Sequence, residues 1–216
     1  TDHSRYSFFG IKAELARNTL DKFLYPRRGS DLKLSGIFVT GRDKYEPFDA
    51  KKFLSRTPRQ WFGARLTWDK YFDMPGCSWL SLGLNVDGVI TNHPEFTTEG
   101  ATVMSMPAYE PVPHAQMIYM PDFRGRRFAA GGIMPTFDLM HNFFLRTGFY
   151  AMFREKRSFV PGVSGPVEDK RWHYIAEASL GPVSLALTKY DLRNWKNMYL
   201  TFNFGYAIFA PKGTFY

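Results

Sequence analysis

Near its C-terminal end the chain reads Met198-Tyr199-Leu200-Thr201-Phe202-Asn203-Phe204-Gly205-Tyr206-Ala207-Ile208-Phe209. Large apolar residues alternate with small or polar ones, and this period of two is typical of a β-strand with two different faces. The run is also close to the ~9–11 residues that a tilted strand needs to cross a bilayer. A strand of a soluble sandwich can show the same alternation, so the interpretation depends on whether the pattern recurs.

The alternation does recur along the chain. In residues 139–153 a row of phenylalanines shares one face, and Arg146 lies on the other. A mid-strand arginine is costly in lipid and acceptable in a watery lumen. Further strands are predicted at residues 6–17, 31–41, 60–72, 79–90, 123–133, 172–180 and 183–190. With residues 198–209, the sequence therefore predicts an all-β fold of about nine antiparallel strands.

The predicted connections alternate in length. Short turns are expected at Met74-Pro75-Gly76-Cys77, at residues 134–138 and at Gly181-Pro182, whereas residues 42–58, 91–122 and 154–170 are expected to be long loops. Outer-membrane barrels have short periplasmic turns and long extracellular loops. Residues 18–30 are an exception, being long where a short turn is expected. Because such barrels have an even number of strands, we expect residues 1–216 to be the C-terminal part of one larger barrel domain.

Composition agrees with a β domain and excludes some alternatives. The 21 Phe and 12 Tyr among 216 residues exceed what an ordinary soluble core needs. No run of about 18 apolar residues is present, which excludes a transmembrane helix. The basic residues behind the net charge of +8 are scattered among aromatic residues, which indicates contact with anionic lipid head groups or simple solvated loops, with no nucleic acid as partner. The single Cys77 forbids an internal disulfide.

Two sets of residues carry a resemblance to known proteins. Asn18-Thr19-Leu20-Asp21 with Tyr25-Pro26-Arg27-Arg28-Gly29 resembles the turn motif of the bacterial surface-antigen barrel superfamily, which includes outer-membrane assembly factors and two-partner secretion transporters. The closing runs Leu180-Gly181-Pro182-Val183-Ser184-Leu185, Tyr190-Asp191 and Phe202 to Phe209 resemble the C-terminal barrel of patatin-like phospholipases of Bacteroidetes. The resemblance covers essentially the whole chain.

This resemblance implies an antiparallel transmembrane β-barrel of about sixteen strands in the bacterial outer membrane, of which the chain supplies about the last nine. The barrel would anchor or translocate an N-terminal patatin-like domain, a serine lipid acyl hydrolase. The implied partners are outer-membrane lipids and lipopolysaccharide, the outer-membrane assembly machinery during insertion, and a larger outer-membrane complex.

The resemblance also assigns roles to individual residues. It implies a loop that folds into the lumen and carries an Arg-Gly motif, here Phe123-Arg124-Gly125, although Arg126 stands where an aromatic residue is usual. An acid on the lumen wall would anchor Arg124, and Glu177 is the candidate. The other interpretation of these residues is a basic strand end beside lipid head groups. The final strand would be the assembly signal, read through Phe202, Phe204, Gly205, Tyr206 and Phe209.

Catalytic chemistry is not expected in this segment. The Gly-x-Ser-x-Gly elbow of patatins is absent, because Gly162-Val163-Ser164-Gly165-Pro166 has the wrong spacing, and the five histidines lack metal-ligand spacing. We therefore expect no catalytic, cofactor or metal site here, and any enzymatic domain upstream of Thr1. Two alternatives remain open: an insertase or secretion pore of the assembly-factor type, and a soluble β ligand-binding protein. A soluble core would have to bury Arg146 and Glu177 unpaired.

Overall fold

The computed structural model describes residues 3–21, 26–46, 55–96, 98–111, 120–140, 143–159, 165–183 and 200–208. Within these ranges, eight strands form one antiparallel sheet in which each strand pairs with its neighbours in chain order. The strands are β1 (His3–Asn18), β2 (Gly29–Glu46), β3 (Ser55–Asp73), β4 (Leu80–Thr91), β5 (Arg127–Met140), β6 (Phe143–Phe159), β7 (Pro166–Val183) and β8 (Leu200–Ile208). One helix, α1 (Glu99–Ser105), and a 3₁₀ turn (Pro121–Phe123) lie between β4 and β5.

Several strands extend into segments that were predicted to be loops. The prediction of a loop over 42–58 is wrong at both ends, because β2 and β3 stay paired as far as Tyr45 and Ser55. Most of the predicted loop 154–170 likewise belongs to β6 and β7. These segments are charged and lack apolar alternation. Backbone hydrogen bonds between paired strands form without such a pattern. Opposite charges on paired strands support it instead, as between Glu155 and Lys170, whose charged atoms are 4.0 Å apart.

Two predicted turns lie inside strands. Residues 134–138 belong to β5, where the pairing with β6 lapses between Ile133 and Thr136, around a proline that has no N–H to donate. Gly181-Pro182 lies within β7, beside an irregularity in the register with β8 between Leu180 and Val183. The predicted hairpin across this dipeptide is therefore wrong. The rest of its second strand, residues 184–190, lies outside the described residues, and eight strands are described instead of about nine.

The two faces of the sheet have opposite polarity. Along β4, the residues that alternate toward the buried face include Ser81, Asn85 and Asp87, whereas Val86 and Ile90 on the other face are exposed, Ile90 by 69%. We call the buried face the inner face and the other the outer face. On β6, Arg146 is buried and Phe149 is 54% exposed. The predicted separation of polar and apolar faces is confirmed, and the polar face is the buried one.

The connection between β4 and β5 covers the inner face. We call residues 92–126 the inner segment; its residues 97 and 112–119 lie outside the described ranges. The segment buries Phe96, Val103, Tyr109 and Phe123 almost completely. The core cluster joins Tyr109 and Phe123 to inner-face residues of the strands, so the hydrophobic core lies between segment and sheet. None of the described helices is long and apolar enough to cross a membrane.

The sheet is open. Strands β1 and β8 are its two edges, and no ladder joins them within the described residues. The all-β antiparallel fold is thus confirmed, while these strands alone do not form a closed barrel.

Candidate functional site

The start of the inner segment is held by an aromatic cluster. The ring of His93 lies 5.0 Å from that of Trp61 on β3, and the ring of Phe96 lies 5.9 Å from Trp61 and 5.4 Å from Phe8 on β1. Tyr6 joins the cluster through Phe96, at 5.6 Å between ring centres. These aromatic contacts fix the entry of the segment against two strands at once.

His93 is a neutral group inside this cluster. His93 is 2% exposed, and its ring packs against those of Trp61 and Phe96. Burial, with a smaller contribution from the nearby positive charge of Arg126, lowers the pKa of His93 to about 4. The imidazole is therefore uncharged at neutral pH, as its aromatic surroundings require.

The middle of the segment is bound to polar groups of the inner face. The Tyr109 hydroxyl donates to Asn85 Oδ1 at 2.7 Å, and Asn85 Nδ2 donates to Asp69 at 2.7 Å. Burial raises the pKa of Tyr109, so the hydroxyl stays protonated as the donor of this chain. Beside it, Arg65 pairs with Asp87 at 2.6 Å and donates to the carbonyl of Ala108 at 3.2 Å.

The end of the segment folds back on its own earlier part. Arg124 Nη1 donates to the carbonyl oxygens of Met104 and Met106, at 2.9 and 3.0 Å. The Tyr109 N–H donates to the carbonyl of Phe123 at 2.8 Å, and Gly125 N–H donates to that of Pro107 at 3.1 Å. Arg124 thus connects the end of the inner segment to its earlier part, near α1.

At Gly125 the end of the inner segment comes close to the sheet. A Cβ atom at this position would lie 3.2 Å from the Cβ of Arg154 and 3.2 Å from the carbonyl oxygen of Glu155. Both are tighter than ordinary van der Waals contact. The predicted Phe123-Arg124-Gly125 motif therefore occupies a position where the segment lies directly against β6.

Two side chains of the sheet contact the end of the inner segment, Arg154 on β6 and His173 on β7. Arg154 is buried and donates to the Arg124 carbonyl at 3.2 Å and, through Nε, to His173 Nε2 at 2.8 Å. It also pairs with Asp122 at 3.5 Å and Asp169 at 3.3 Å. The Phe123 ring lies 5.6 Å from the His173 ring. One wall arginine thus connects the segment to two strands.

The structure does not bring Arg124 and Glu177 together. Glu177 accepts from Ser179 at 2.7 Å and from the Tyr150 hydroxyl at 3.4 Å. It also interacts electrostatically with Arg146, which lies among Tyr71 and Tyr150. Both residues are buried on the inner face, so the alternative of a soluble β protein stays open.

The turn motif near residue 20 lies at the opposite end of the sheet. Asp21 accepts from the backbone N–H groups of Arg27 and Arg28, at 2.9 and 3.2 Å. The Arg27 side chain pairs with Asp138 at the end of β5 and with Asp73 at the end of β3. The motif therefore ties together the connections at this end.

The predicted assembly-signal residues fall mostly within β8. Phe202, Phe204, Gly205 and Tyr206 pair in register with Leu180, Ala178, Glu177 and Ala176 of β7, and Phe209 lies outside the described residues. The strand itself is confirmed. Its role as a signal stays a prediction.

Several residues that hold the inner segment were not predicted from the sequence. Arg154 lies one residue past the predicted strand 139–153, so extending that strand would have placed it on the inner face with Arg146. His173 lies within the predicted strand 172–180, on the same face as Glu177, but no pattern indicated its contact with the inner segment. Asn85 and Asp87 oppose the apolar residues that defined β4. For Tyr109, in an irregular segment, no local pattern indicated a contact with the sheet.

Comparisons with known proteins add no assignment. No family model matches the chain, and neither a curated protein nor a solved structure matches it. Among the described residues, no three His, Cys, Asp or Glu side chains are grouped so that they could hold a metal ion. Ser164 lies outside the described residues.

Proposed function

We propose that this chain forms part of the wall of an outer-membrane β-barrel whose lumen is closed by the inner segment. In this proposal the barrel anchors an N-terminal patatin-like lipid acyl hydrolase domain, or translocates it, as the resemblance of the turn motif and the closing strand implies. One observation carries the membrane part of the proposal: the outer face is continuous, apolar and exposed.

The cross-strand register makes this face continuous. Leu15, Leu34 and Leu66 are successive partners across β1, β2 and β3, and Ile133 is the partner of Phe149 across β5 and β6. The exposed large apolar residues of this face are Phe9, Ile11, Leu15, Leu32, Leu34, Phe38, Phe62, Leu66, Trp68, Val86, Ile90, Ile133, Leu139, Phe149, Phe153, Trp172 and Tyr174. Soluble monomers rarely expose a contiguous apolar patch of this extent.

The height of the face fits a bilayer. At ~3.4 Å per residue, the ten steps from Leu80 to Ile90 span about 34 Å, which a strand tilt of ~40° projects to about 26 Å. The apolar band of outer-membrane barrels is ~25 Å tall and flanked by aromatic girdles. Here Trp79 stacks on Phe137 at one end, and Trp172 lies between Phe153 and Tyr174 at the other.

The open edges support a larger barrel. Unpaired N–H and C=O groups at a strand edge are not tolerated in the hydrocarbon core, so membrane sheets close on themselves. Within the described residues β1 and β8 are the edges, and the proposal, following the resemblance, has further strands complete a wall of about sixteen. A lumen segment is implied for the whole superfamily, so the domain N-terminal to the barrel is what distinguishes the anchor from an insertase or secretion pore.

The test uses the single native cysteine. Cys77 lies in the turn between β3 and β4, which the proposal places in the periplasm, whereas Glu168 lies near the end where β6 joins β7, outside the cell. In intact cells a membrane-impermeant maleimide should leave Cys77 unlabelled until the outer membrane is permeabilised. A Glu168→Cys variant in a Cys77→Ser background should label at once.

A denatured sample controls for the partial burial of Cys77. Labelling of Cys77 in intact cells, together with protection of the cysteine at position 168, would show that the sheet has the opposite orientation in the membrane. Recovery of the full-length protein from the soluble fraction, without heat-modifiable migration, would refute membrane insertion. Sequencing the protein upstream of Thr1 distinguishes the two hypotheses. The patatin-like anchor requires a serine hydrolase domain there, whereas an assembly factor requires periplasmic repeat domains.

A further inference from the structure

The hydrogen bond between Arg154 and His173 requires an uncharged imidazole. Arg154 Nε donates to His173 Nε2 at 2.8 Å, and a guanidinium has only donors. His173 Nε2 is therefore the acceptor, which places the single ring proton on Nδ1. A second proton would occupy Nε2, remove this hydrogen bond and set two cations against each other.

The charges around His173 balance only while the ring is neutral. His173 interacts electrostatically with Arg154 of β6, with Asp122 of the inner segment, and with Asp169 and Arg171 of its own strand. The two carboxylates are already paired with the two guanidinium groups: Arg154 lies 3.5 Å from Asp122 and 3.3 Å from Asp169, and Arg171 lies 2.6 Å from Asp169. Protonated His173 would be a third cation beside two carboxylates.

The other neighbours of His173 cannot balance that charge. His173 is 8% exposed, and its register partner on β6 is the completely buried Met152. The Phe123 ring of the inner segment lies 5.6 Å from the imidazole. The described part of β8, residues 200–208, contains no Asp, Glu, Lys, Arg or His. An unbalanced charge in such surroundings is costly.

The same guanidinium holds the end of the inner segment. Arg154 donates to the carbonyl oxygen of Arg124 at 3.2 Å. Two residues further, the Arg126 N–H donates to the carbonyl oxygen of Glu155, the next residue of β6, at 2.9 Å. A displacement of the Arg154 side chain would therefore weaken the attachment of this end to β6.

We infer that His173 and Arg154 form an acid-sensitive latch for the end of the inner segment, residues 120–126. With neutral His173, the guanidinium is held between the imidazole and the Arg124 carbonyl. Protonation of His173 removes the first contact and repels Arg154 from the second, so the end detaches from β6. Histidine is the side chain that most readily changes its charge between pH 8 and pH 5. The latch depends on these contacts alone, whether or not the sheet lies in a membrane.

The test measures amide hydrogen exchange of the purified full-length protein in detergent at pH 8 and pH 5, with each rate corrected for its intrinsic pH dependence. The Gly125 and Arg126 amides report on the latch, because they donate to the carbonyl oxygens of Pro107 and Glu155. At pH 5 their protection should fall ~10-fold or more, the range of a lost hydrogen bond to a charged group. Amides of residues 32–38 in β2 should keep their protection. Unchanged protection of Gly125 and Arg126 in the wild type would overturn the inference.

Two variants assign the response to one histidine. His173→Gln keeps an acceptor for Arg154 and cannot titrate, so the segment end should stay protected at both pH values. His93→Phe is the matched control, since it removes a second buried histidine and should leave the response of Gly125 and Arg126 intact. A full pH response in His173→Gln, or its loss in His93→Phe, would refute the latch. Neither result bears on membrane insertion, which the labelling of Cys77 tests separately.

Discussion

The guanidinium of Arg154 donates a hydrogen bond to the carbonyl oxygen of Arg124, over 3.2 Å. The first residue belongs to the sheet and the second to the segment that covers it, so this contact fixes where the segment ends against the wall. A backbone carbonyl accepts here, which means that the contact does not depend on the side chain at position 124. The wall supplies the positive charge, and Asp122 of the segment supplies part of the negative charge.

Replacing Arg154 should loosen the inner segment. In Arg154→Met the carbonyl of Arg124 and His173 Nε2 lose a buried donor, so we expect the free energy of unfolding to fall by about 2–3 kcal/mol. A glutamate-specific protease should then cut the folded protein faster after Glu99 and Glu110. Arg171→Met is the matched control, because Arg171 also pairs with Asp169 but is 68% exposed in its side chain; it should cost less than ~1 kcal/mol. Equal losses in the two variants would show that Arg154 is not an anchor.

His93 should make stability depend on pH. Its folded pKa of about 4 lies below the unfolded value of ~6.5, so the unfolded state binds more protons between these values. Stability is therefore full above pH 6.5 and is lost as the pH falls toward 4, by about 2 kcal/mol between pH 8 and pH 5. His93→Phe keeps a ring against Trp61 and cannot titrate. Urea unfolding in detergent at the two pH values should show a smaller loss for the variant, and parallel losses would contradict the assignment.

Gly132 should be intolerant of a side chain. A Cβ atom there would lie 2.2 Å from the Tyr150 ring and 2.9 Å from the carbonyl oxygen of Phe149. Gly132→Ala should destabilise the protein by ~1–3 kcal/mol, because Tyr150 is buried and cannot move freely. Gly88→Ala, in the same sheet with open space above it, should change stability by less than ~0.5 kcal/mol. Thermal midpoints of heat-modifiable migration measure both, and a tolerated Gly132→Ala would mean that the Tyr150 ring has another position.

The stability of a variant with a charge at the centre of the outer face should show whether this face contacts lipid or water. Phe149 is 54% exposed and lies midway along the apolar run of β6. Phe149→Arg should cost ~2–4 kcal/mol at the bilayer midplane, whereas an exposed substitution in water usually changes stability by less than ~0.5 kcal/mol. Folding equilibria in lipid vesicles provide the measurement, with Phe149→Leu as the apolar control. A neutral Phe149→Arg would contradict the membrane proposal.

The sequence by itself determined where most strands lie and, within them, which residues share a face. Alternation with a period of two binds position to face, so Arg146 was correctly expected opposite the phenylalanines and Glu177 on the polar side of β7. It did not determine where strands end, because the charged extensions of β2, β3, β6 and β7 pair through backbone groups that carry no apolar pattern.

Only the tertiary structure decided which inner-face residues meet the inner segment. Alternation fixes the face on which a residue lies, but not its level relative to residues of the neighbouring strands. That level follows from the strand register. Arg154 pairs with Arg171, so Glu177, six residues further along β7, is ~20 Å away from that level. The end of the segment is held at the level of Arg154 and His173, out of reach of Glu177. That long-range choice depends on how the described parts of the inner segment fold back across the sheet, for which no local pattern exists.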